Sequence, residues 1–495
     1  MNKLLIFTAM AFASLPMSGA AQQSNLLPLS IKSRQVRRLL DRAWVLDSDQ
    51  GEQTQAIVVM RKVVKIEPEF AMGHEILAQI SLDPAEQVSE QKLAFANRGH
   101  ANASEQTVIE WFQNAADHKL IPAITNMNDV LHQYPQDRWL VFLANSWLME
   151  QTQYERAAAI YENSGLSDSP GLVNNAAYTY ANMRQFSKAF SLMDKFVALM
   201  PKDPNPQDSY AEILRMAGYY TVAIDHYRAA LSINPQFYSS QFGIADTYLL
   251  MGDEVQARKE YDAAFKKFPS LGELERIQWR TREAATYIYE GDLAAADKAL
   301  GAIVDYARAR HLSQVEAETY RQMAMYQPEK QRGMDLLHKA EIALNEGSNI
   351  SENKAQQEAA EILRTRVYLA IGAGEASAAG SAIAKLARLS MDSNDKVIDA
   401  AFNGAVGAEL FYERKYSGAI PHLEQDMRSP LSLKLLAAAY QATGYHAGAR
   451  RIQEILTHFN DPTIEQAMIV PAFRKCLANP ACEVNVKNAA MTVSR

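Results

Sequence analysis

Cysteine is nearly absent from this chain, and positive charge is nowhere concentrated. The 495 residues include two cysteines, too few for the disulfide frameworks that hold small secreted domains together. Lys and Arg together number 50 against 57 Asp and Glu, which gives a formal net charge of −7. No stretch gathers cations into the stripe that nucleic-acid phosphates require. We therefore expect no nucleic-acid partner.

Long apolar runs are also missing, except at the N-terminus. Residues 1–21 carry a single cation, Lys3, an apolar run interrupted by Pro16, and small residues at their end. The run is shorter than the roughly 20 apolar residues that span a bilayer, and the pattern is typical of a secretory signal peptide. An uncleaved N-terminal anchor is the alternative. We expect a periplasmic or secreted protein without a membrane span.

Export would allow the two cysteines to form a disulfide, because an oxidising compartment permits one. Cys476 and Cys482 are separated by a short segment that includes Asn479 and Pro480. The spacing matches neither the C-x-x-C of a redox site nor a zinc site. It favours a structural disulfide in the C-terminal tail, with two separate thiols as the alternative.

Catalytic signatures are absent as well. The chain contains no G-x-S-x-G, no G-x-x-x-x-G-K-[ST] and no H-E-x-x-H motif, since His74 and Glu75 lack the second histidine. The ten histidines are scattered, with no pair at the helical spacing of metal ligands. The sequence therefore predicts no cofactor, no metal site and no enzyme activity.

What the sequence does contain is a repeat. Hydrophobic residues make up 48% of the chain, and Ala257, Tyr261 and Ala264 lie on one face of an amphipathic helix. The same offsets recur at a constant interval and again further upstream, at Ala223, Tyr227 and Ala230, at Ala189, Met193 and Phe196, at Ala123, Met127 and Val130, and at Ala56, Met60 and Val63. With less regular spacing the pattern continues to about residue 460.

Each position of the repeat has a physical reason. Alanine fits where two antiparallel helices approach most closely, within the usual interaxial distance of about 8 to 10 Å. Gly218 and Gly252 precede second helices, where glycine adopts backbone angles that other residues resist. A single helix pair leaves apolar faces exposed, and stacking buries them. The expected fold is all-α, a superhelical solenoid of antiparallel helix pairs.

This pattern resembles the tetratricopeptide repeat, a 34-residue helix-turn-helix family. The small-residue positions of the family's first helix match Ala177, Ala211 and Ala245. Its large position further along that helix matches Tyr180, Leu214 and Tyr248. The resemblance is strong over residues 107–269 and fair over 36–70.

The changes in regularity predict a division of the chain. We expect an N-terminal repeat array over 33–345 and a less regular array over 355–460. The polar stretch 346–354 is the predicted bend between them. Residues 82–105 fit no clean repeat, and residues 461–495, where the pattern stops, are expected to form a tail or cap that carries the two cysteines.

The resemblance also implies a binding surface, because ligands of the family lie in a concave groove lined by the first helices. Mapped onto this chain, the groove residues are Asn174, Tyr178, Asp208, Glu212, Arg215, Phe242 and Asp246. The family's clamp for a C-terminal carboxylate uses lysine, asparagine and arginine. Here three acidic residues take part instead, so we expect a basic or polar partner segment with an apolar anchor.

Asp208 and Glu212 invite other interpretations, since residues four apart share one helical face. A catalytic acid–base pair is one, and a calcium site completed by Asp246 is another. The structural alternative takes Asn205 as the N-cap and Pro206 as the first helical residue, so that Asp208 stabilises the helix start.

The function favoured by these features is an exported repeat scaffold. It binds a protein or peptide through its groove, in the assembly or maintenance of a cell-envelope complex. Two alternatives remain open: an envelope enzyme or enzyme subunit that acts on glycan, and a self-associating structural solenoid. The sequence leaves the oligomeric state undecided.

Overall fold

The structure, a computed structural model, describes residues 26–347 and 350–477, and within them every element is helical. The predicted all-α class is confirmed. The predicted signal peptide, the side chain of Cys476 and all of Cys482 lie outside the described residues. The α-helices are α1 Arg34–Trp44, α2 Gln53–Ile66, α3 Ala71–Ile80, α4 Pro84–Asn97, α5 Ala103–Ala116, α6 Leu120–Gln133, α7 Arg138–Glu150, α8 Tyr154–Ser164, α9 Pro170–Asn182, α10 Phe186–Leu199, α11 Asn205–Met216, α12 Tyr220–Ile233, α13 Tyr238–Met251, α14 Glu254–Lys267, α15 Glu273–Glu290, α16 Leu293–Ala309, α17 Ser313–Met325, α18 Lys330–Glu346, α19 Glu352–Gly372, α20 Ala376–Ser393, α21 Lys396–Tyr412, α22 Tyr416–Leu423, α23 Pro430–Ala442, α24 His446–Thr457 and α25 Ile464–Leu477.

Helices α1 to α24 pack as consecutive helix-turn-helix pairs. The second helices α10, α12 and α14 begin at Phe186, Tyr220 and Glu254, at equal intervals along the chain. In the turns before two of them, Gly218 and Gly252 have φ of 87° and 85°, in the left-handed region that glycine enters without a Cβ clash. The spacing of the helices therefore matches the predicted repeat.

The repeated small and large positions form the core. Ala223, Ala257 and Ala264 are completely buried, and Tyr227 and Tyr261 are buried with them. The same alternation of small and large side chains thus fills the contact between the helices of each pair.

The segment 82–105, which fits no clean repeat in the sequence, contains α4. Asp83 precedes this helix, and its side chain accepts a hydrogen bond from the Ala85 backbone N–H at 2.9 Å. The bond satisfies one free donor of the helix start. Most of the segment is helical, although its sequence departs from the repeat.

Distant repeats touch, because the solenoid winds back on itself. The Thr54 hydroxyl donates to Glu275 Oε1 at 2.6 Å across 221 residues of sequence. His118 Nδ1 lies 2.6 Å from Asn353 Oδ1 across 235 residues. The array thus brings segments more than 200 residues apart into contact, and it encloses an interior space lined mainly by first helices.

Helix α25 breaks the repeat and returns to the rest of the molecule. Ile464 and Ala467 pack into the core built mainly from α13 to α18, whereas Val470 and Phe473 pack into the core of α21 to α24. The sequence predicts a tail or cap after residue 460, and the described part of this segment packs on two parts of the array. Among the described residues, no helix combines the length and apolar character needed to cross a bilayer.

Candidate functional site

The interior of the superhelix holds an open cleft of about 1190 Å³. First helices of the repeats form its walls, in keeping with the concave surface that the resemblance implies. On one side lie Glu150, Tyr178, Glu212 and Arg215 from α7, α9 and α11; on the other lie Arg321, Glu361, Arg364 and Lys396 from α17, α19 and α21; and the turns before α23 and α25 close it.

Arg215 organises the first wall. Its guanidinium is buried, and it donates from Nη1 to Asp246 Oδ2 at 2.9 Å and from Nη2 to Glu212 Oε1 at 2.9 Å. Arg282 Nη1 lies 2.5 Å from the same oxygen of Asp246, and the Tyr261 hydroxyl donates to the other oxygen. Such a shared set of charge-assisted bonds fixes the positions of its members, because each buried charge needs its partners.

Tyr178 and Glu212 connect the hydrogen bonds around Arg215 with the surface of the cleft. The Tyr178 hydroxyl donates to Glu212 Oε2 at 2.8 Å. Burial, and after it the nearby carboxylates, raise the pKa of Tyr178 well above its ordinary value, so the hydroxyl remains protonated. The Glu212 side chain is 36% exposed, and its carboxylate is therefore the part of the network that a ligand can reach.

The other mapped groove residues do not line the cleft. Phe242 is completely buried, with its ring stacked on Trp279 at 4.5 Å between centroids. Asp246 is also completely buried, beneath its two arginines. Asp208 is buried, Asn174 is half-buried, and neither is among the lining residues. Of the mapped residues, Tyr178, Glu212 and Arg215 line the cleft. A mapping onto first helices does not separate their solvent-facing side from the side that packs on the next repeat.

The structure also bears on whether Asp208 and Glu212 form a catalytic acid–base pair or whether Asp208 stabilises the start of its helix. Asp208 accepts a hydrogen bond from the Ser240 hydroxyl at 2.5 Å, and burial raises its pKa to about 7. The two carboxylates thus do not face a common open surface where a substrate of an acid–base pair would sit. Helix α11 begins at Asn205 itself, preceded by Pro204, which corrects the expected N-cap.

The calcium alternative does not fit either. The Asp246 carboxylate is already held by Arg215 and Arg282, and two cations at one carboxylate oppose a third. Over residues 26–347 and 350–477, no group of three or more His, Cys, Asp or Glu side chains is arranged to hold a metal ion.

Arg364 organises the opposite wall, which the sequence reasoning missed. It donates from Nη1 to Asp426 Oδ2 at 3.2 Å, and its Nη2 lies 2.7 Å from Glu361 Oε2 and 3.5 Å from Glu465 Oε2. Next to it, Arg321 pairs with Glu358 at 2.6 Å. Asp426 and Glu465 lie 62 and 101 residues from Arg364 in sequence, so no local sequence motif predicts the cluster.

The loop that closes the cleft is held by a cation as well. Arg184 Nη2 donates to the carbonyl oxygens of Ile455 at 3.0 Å and His458 at 3.3 Å. These carbonyls belong to the C-terminal end of α24, where backbone acceptors are free and a cation is favoured. The cleft is therefore a preformed space whose walls and closing loop are held by arginines.

Comparison with known proteins gives similarity of structure alone. No family model and no curated protein matches the chain. Among solved structures it is similar to YrrB, a TPR protein with an unusual peptide-binding site, at 15% identity over 35% of this chain and 89% of the other, with a TM-score of 0.24. It is similar to the type IV pilus biogenesis factor PilW at 13% identity over 50% and 99%, with a TM-score of 0.29. It is similar to the Cut9–Hcn1 hetero-tetramer at 14% identity over 84% of this chain and 76% of the other, with a TM-score of 0.38.

Proposed function

We propose, from the premise that the chain is a solenoid of tetratricopeptide-type repeats, that it is a scaffold which binds a segment of a partner protein in its interior cleft. The observation that carries the proposal is the cleft itself. Its volume of about 1190 Å³ exceeds the roughly 300 to 1,000 Å³ of ordinary small-molecule pockets. A peptide segment or a protruding loop matches this size better than a metabolite does.

The partner chemistry follows from what the walls leave accessible. Glu212 presents a partly exposed carboxylate beside the Tyr178 ring. Around Arg364, three carboxylates surround one guanidinium. Phe186 and Met216 add apolar lining at the same rim. These groups favour a basic or polar segment with an apolar anchor over a free acidic terminus, because an added anion would meet the excess of carboxylates around Arg364.

Export is part of the proposal, in agreement with the pattern of residues 1–21. The described chain is already anchored just beyond that segment, since the Leu27 backbone N–H donates to Asp137 Oδ2 at 3.0 Å and the Ser30 N–H donates to Glu105 Oε1 at 2.9 Å. Removal of residues 1–21 leaves both contacts in place. The proposed setting is therefore the cell envelope, in the assembly or maintenance of a complex there.

The test of the cleft compares capture by three forms of the mature protein from envelope extract. Tyr178→Ala with Glu212→Gln removes the accessible part of the first wall, and Tyr445→Ala alters an equally aromatic but distant surface position that is 55% exposed. We expect the cleft variant to weaken capture by about tenfold, since hot-spot truncations cost about 1 to 4 kcal/mol. The Tyr445 control should capture the partner as the parent does.

Three outcomes contradict this proposal. Equal capture by the parent and the cleft variant places the interaction on another face. Concentration-dependent assembly with no heterologous partner favours the self-associating solenoid. Turnover of a glycan that Glu212→Gln abolishes while binding persists favours the enzyme.

A further inference from the structure

A continuous row of aromatic side chains crosses α10, α11 and α12, and its members are Phe186, Phe190, Tyr210, Tyr219 and His226. We call this row the aromatic strip. The ring centroid of Phe190 lies 6.2 Å from that of Phe186 and 6.0 Å from those of Tyr210 and Tyr219. The ring centroids of Tyr210 and His226 are 4.7 Å apart. Phe186 also lines the cleft, so the strip runs from the cleft rim across the outside of the repeat.

The repeat fold does not require aromatic residues at these positions. The next repeat provides an internal comparison, because its helices lie in the same register. One repeat later, the corresponding positions hold Tyr220, Ile224, Ile244, Asp253 and Glu260. Two of these residues, Ile224 and Ile244, are buried in the core, so helix packing accounts for large side chains at Phe190 and Tyr210. It does not account for their aromatic character, since only one of the five equivalents is aromatic.

The ring faces of the strip are left uncovered by the chain's own cations. Elsewhere the chain places cations over its rings: the guanidinium carbon of Arg280 lies 3.8 Å from the centroid of Phe265, and that of Arg310 lies 5.3 Å from the centroid of Tyr306. In the part of the chain that the structure describes, no Lys or Arg occupies such a position over the strip. Tyr219 is 56% exposed, so a ligand has access to it.

Negative charge lies beside these rings. Asp194 accepts a hydrogen bond from the Tyr210 hydroxyl at 3.1 Å, whereas the Asp225 carboxylate, whose side chain is 66% exposed, already pairs with Arg228 at 3.7 Å. Burial lowers the pKa of His226 despite the opposing influence of these two carboxylates. The imidazole is therefore neutral at neutral pH and adds an aromatic face rather than a positive charge.

We propose that the aromatic strip binds an arginine-bearing segment of a partner protein. A guanidinium is planar, so it stacks on a ring while its edge donates to a carboxylate, a combination that the compact ammonium of lysine achieves less well. The strip supplies both parts: the exposed ring of Tyr219 next to the half-buried rings of Phe190 and Tyr210, and the carboxylate of Asp194. Apart from Phe186, which it shares with the cleft rim, this surface lies outside the cleft lining, and its use does not depend on what the cleft binds.

The test uses labelled peptides of alternating glycine and arginine, with lysine and glutamine versions as comparisons, and measures binding to the mature protein by fluorescence anisotropy at low and high salt. We expect the arginine peptide to bind more tightly than the lysine peptide, and the glutamine peptide to bind least. Tyr219→Ala with Phe190→Leu should weaken binding of the arginine peptide by about threefold to tenfold, because two ring contacts are lost. Asp194→Asn should weaken it mainly at low salt.

A control variant separates the strip from other surfaces. Tyr445→Ala, whose side chain is 55% exposed, should leave binding of the arginine peptide unchanged. The single variant Tyr219→Ala changes an exposed side chain, so it tests the strip without endangering the fold. Equal affinity for arginine and lysine peptides, undiminished binding by the strip variants, or an equal loss caused by Tyr445→Ala would overturn the proposal.

Discussion

Single alanines decide how closely the paired helices pack. Ala257 in α14 is completely buried, whereas Ala263 in the same helix is exposed. Ala257→Leu should lower the free energy of unfolding by about 1 to 3 kcal/mol, because the added isopropyl group overpacks the contact between helices. Urea unfolding followed by helical circular dichroism measures the change. Ala263→Leu is the matched control, and an equal effect of the two substitutions would mean that the repeat register is wrong.

A buried carboxyl group gives the fold a dependence on pH. Glu75 in α3 is completely buried and accepts a hydrogen bond from Gln79 Nε2 at 2.8 Å, and burial raises its pKa to about 8. The native state therefore keeps this proton up to about pH 8, whereas the unfolded chain releases it near the ordinary glutamate pKa of 4.5. Hence the group's contribution to stability is complete below pH 4.5 and is lost as the pH rises through 8.

The neutral variant Glu75→Gln should remove this decline. At pH 5 it should unfold close to the parent, and at pH 9 it should be more stable than the parent by about 2 to 4 kcal/mol. Urea midpoints of both proteins at the two pH values give the comparison, in which other titrating groups cancel. Glu110→Gln on the exposed face of α5 is the control. If the change in stability caused by Glu75→Gln is the same at both pH values, Glu75 is not protonated in the native state at pH 5.

Periodicity in the sequence predicts the burial of some residues and not of others. The burial of Ala257 follows from the regular spacing of the repeat. The burial of Glu75 does not, because its helix shows no charged face opposite an apolar one. For the same reason Tyr178 and Phe242 were mapped to one surface, although the structure exposes part of the first and buries the second.

At the scale of elements, α25 joins parts of the array that repeat stacking alone does not connect. Phe473 is buried in the core of α21 to α24. Its neighbour Arg474 donates from Nη1 to the Leu250 carbonyl at 2.6 Å, at the end of α13, and from Nε to the Thr457 carbonyl at 2.9 Å. The helix was not predicted as a joining element, because a periodic pattern carries no information about the segment that follows it.

Shortening Phe473 should therefore destabilise more than its own helix. Phe473→Ala should lower the free energy of unfolding by about 3 to 4 kcal/mol through the cavity it leaves. We also expect earlier loss of protection from amide hydrogen exchange in both α13 and α23, since the helix contacts both regions. Lys475→Ala, an exposed change in the same helix, is the control. Exchange confined to α25 would show that the helix is an appendage.

At the scale of the whole molecule, the dimensions of the cleft depend on contacts between distant repeats. Such contacts include polar ones: Thr54 with Glu275, His118 with Asn353, and Lys354 Nζ at 3.7 Å from Glu150 Oε2. Each joins segments that are remote in sequence, and each side chain has an ordinary polar character within its own repeat. The solenoid could be predicted from the repeat, whereas its winding and the shape of its interior could not, because small rotations between repeats accumulate.

Removing two of these contacts should open the superhelix without unfolding the repeats. Thr54→Val with His118→Ala deletes the donor to Glu275 and the imidazole beside Asn353, while the helix pairs keep their own cores. Since each lost hydrogen bond costs only about 0.5 to 1.5 kcal/mol, helical circular dichroism should stay the same. Small-angle X-ray scattering should show a larger radius of gyration, and affinity for a cleft-bound partner should fall because the two walls separate.

The control for this double variant is Thr281→Val, whose hydroxyl bonds to Ile277 within α15 at 3.0 Å. That substitution removes a hydrogen bond of the same kind but leaves the distant repeats in contact, so the radius of gyration should stay at the parent's value. If the double variant also keeps the parent's dimensions, stacking between neighbouring repeats alone sets the width of the cleft. The accumulated rotation from one helix pair to the next would then be sufficient to bring the two walls together.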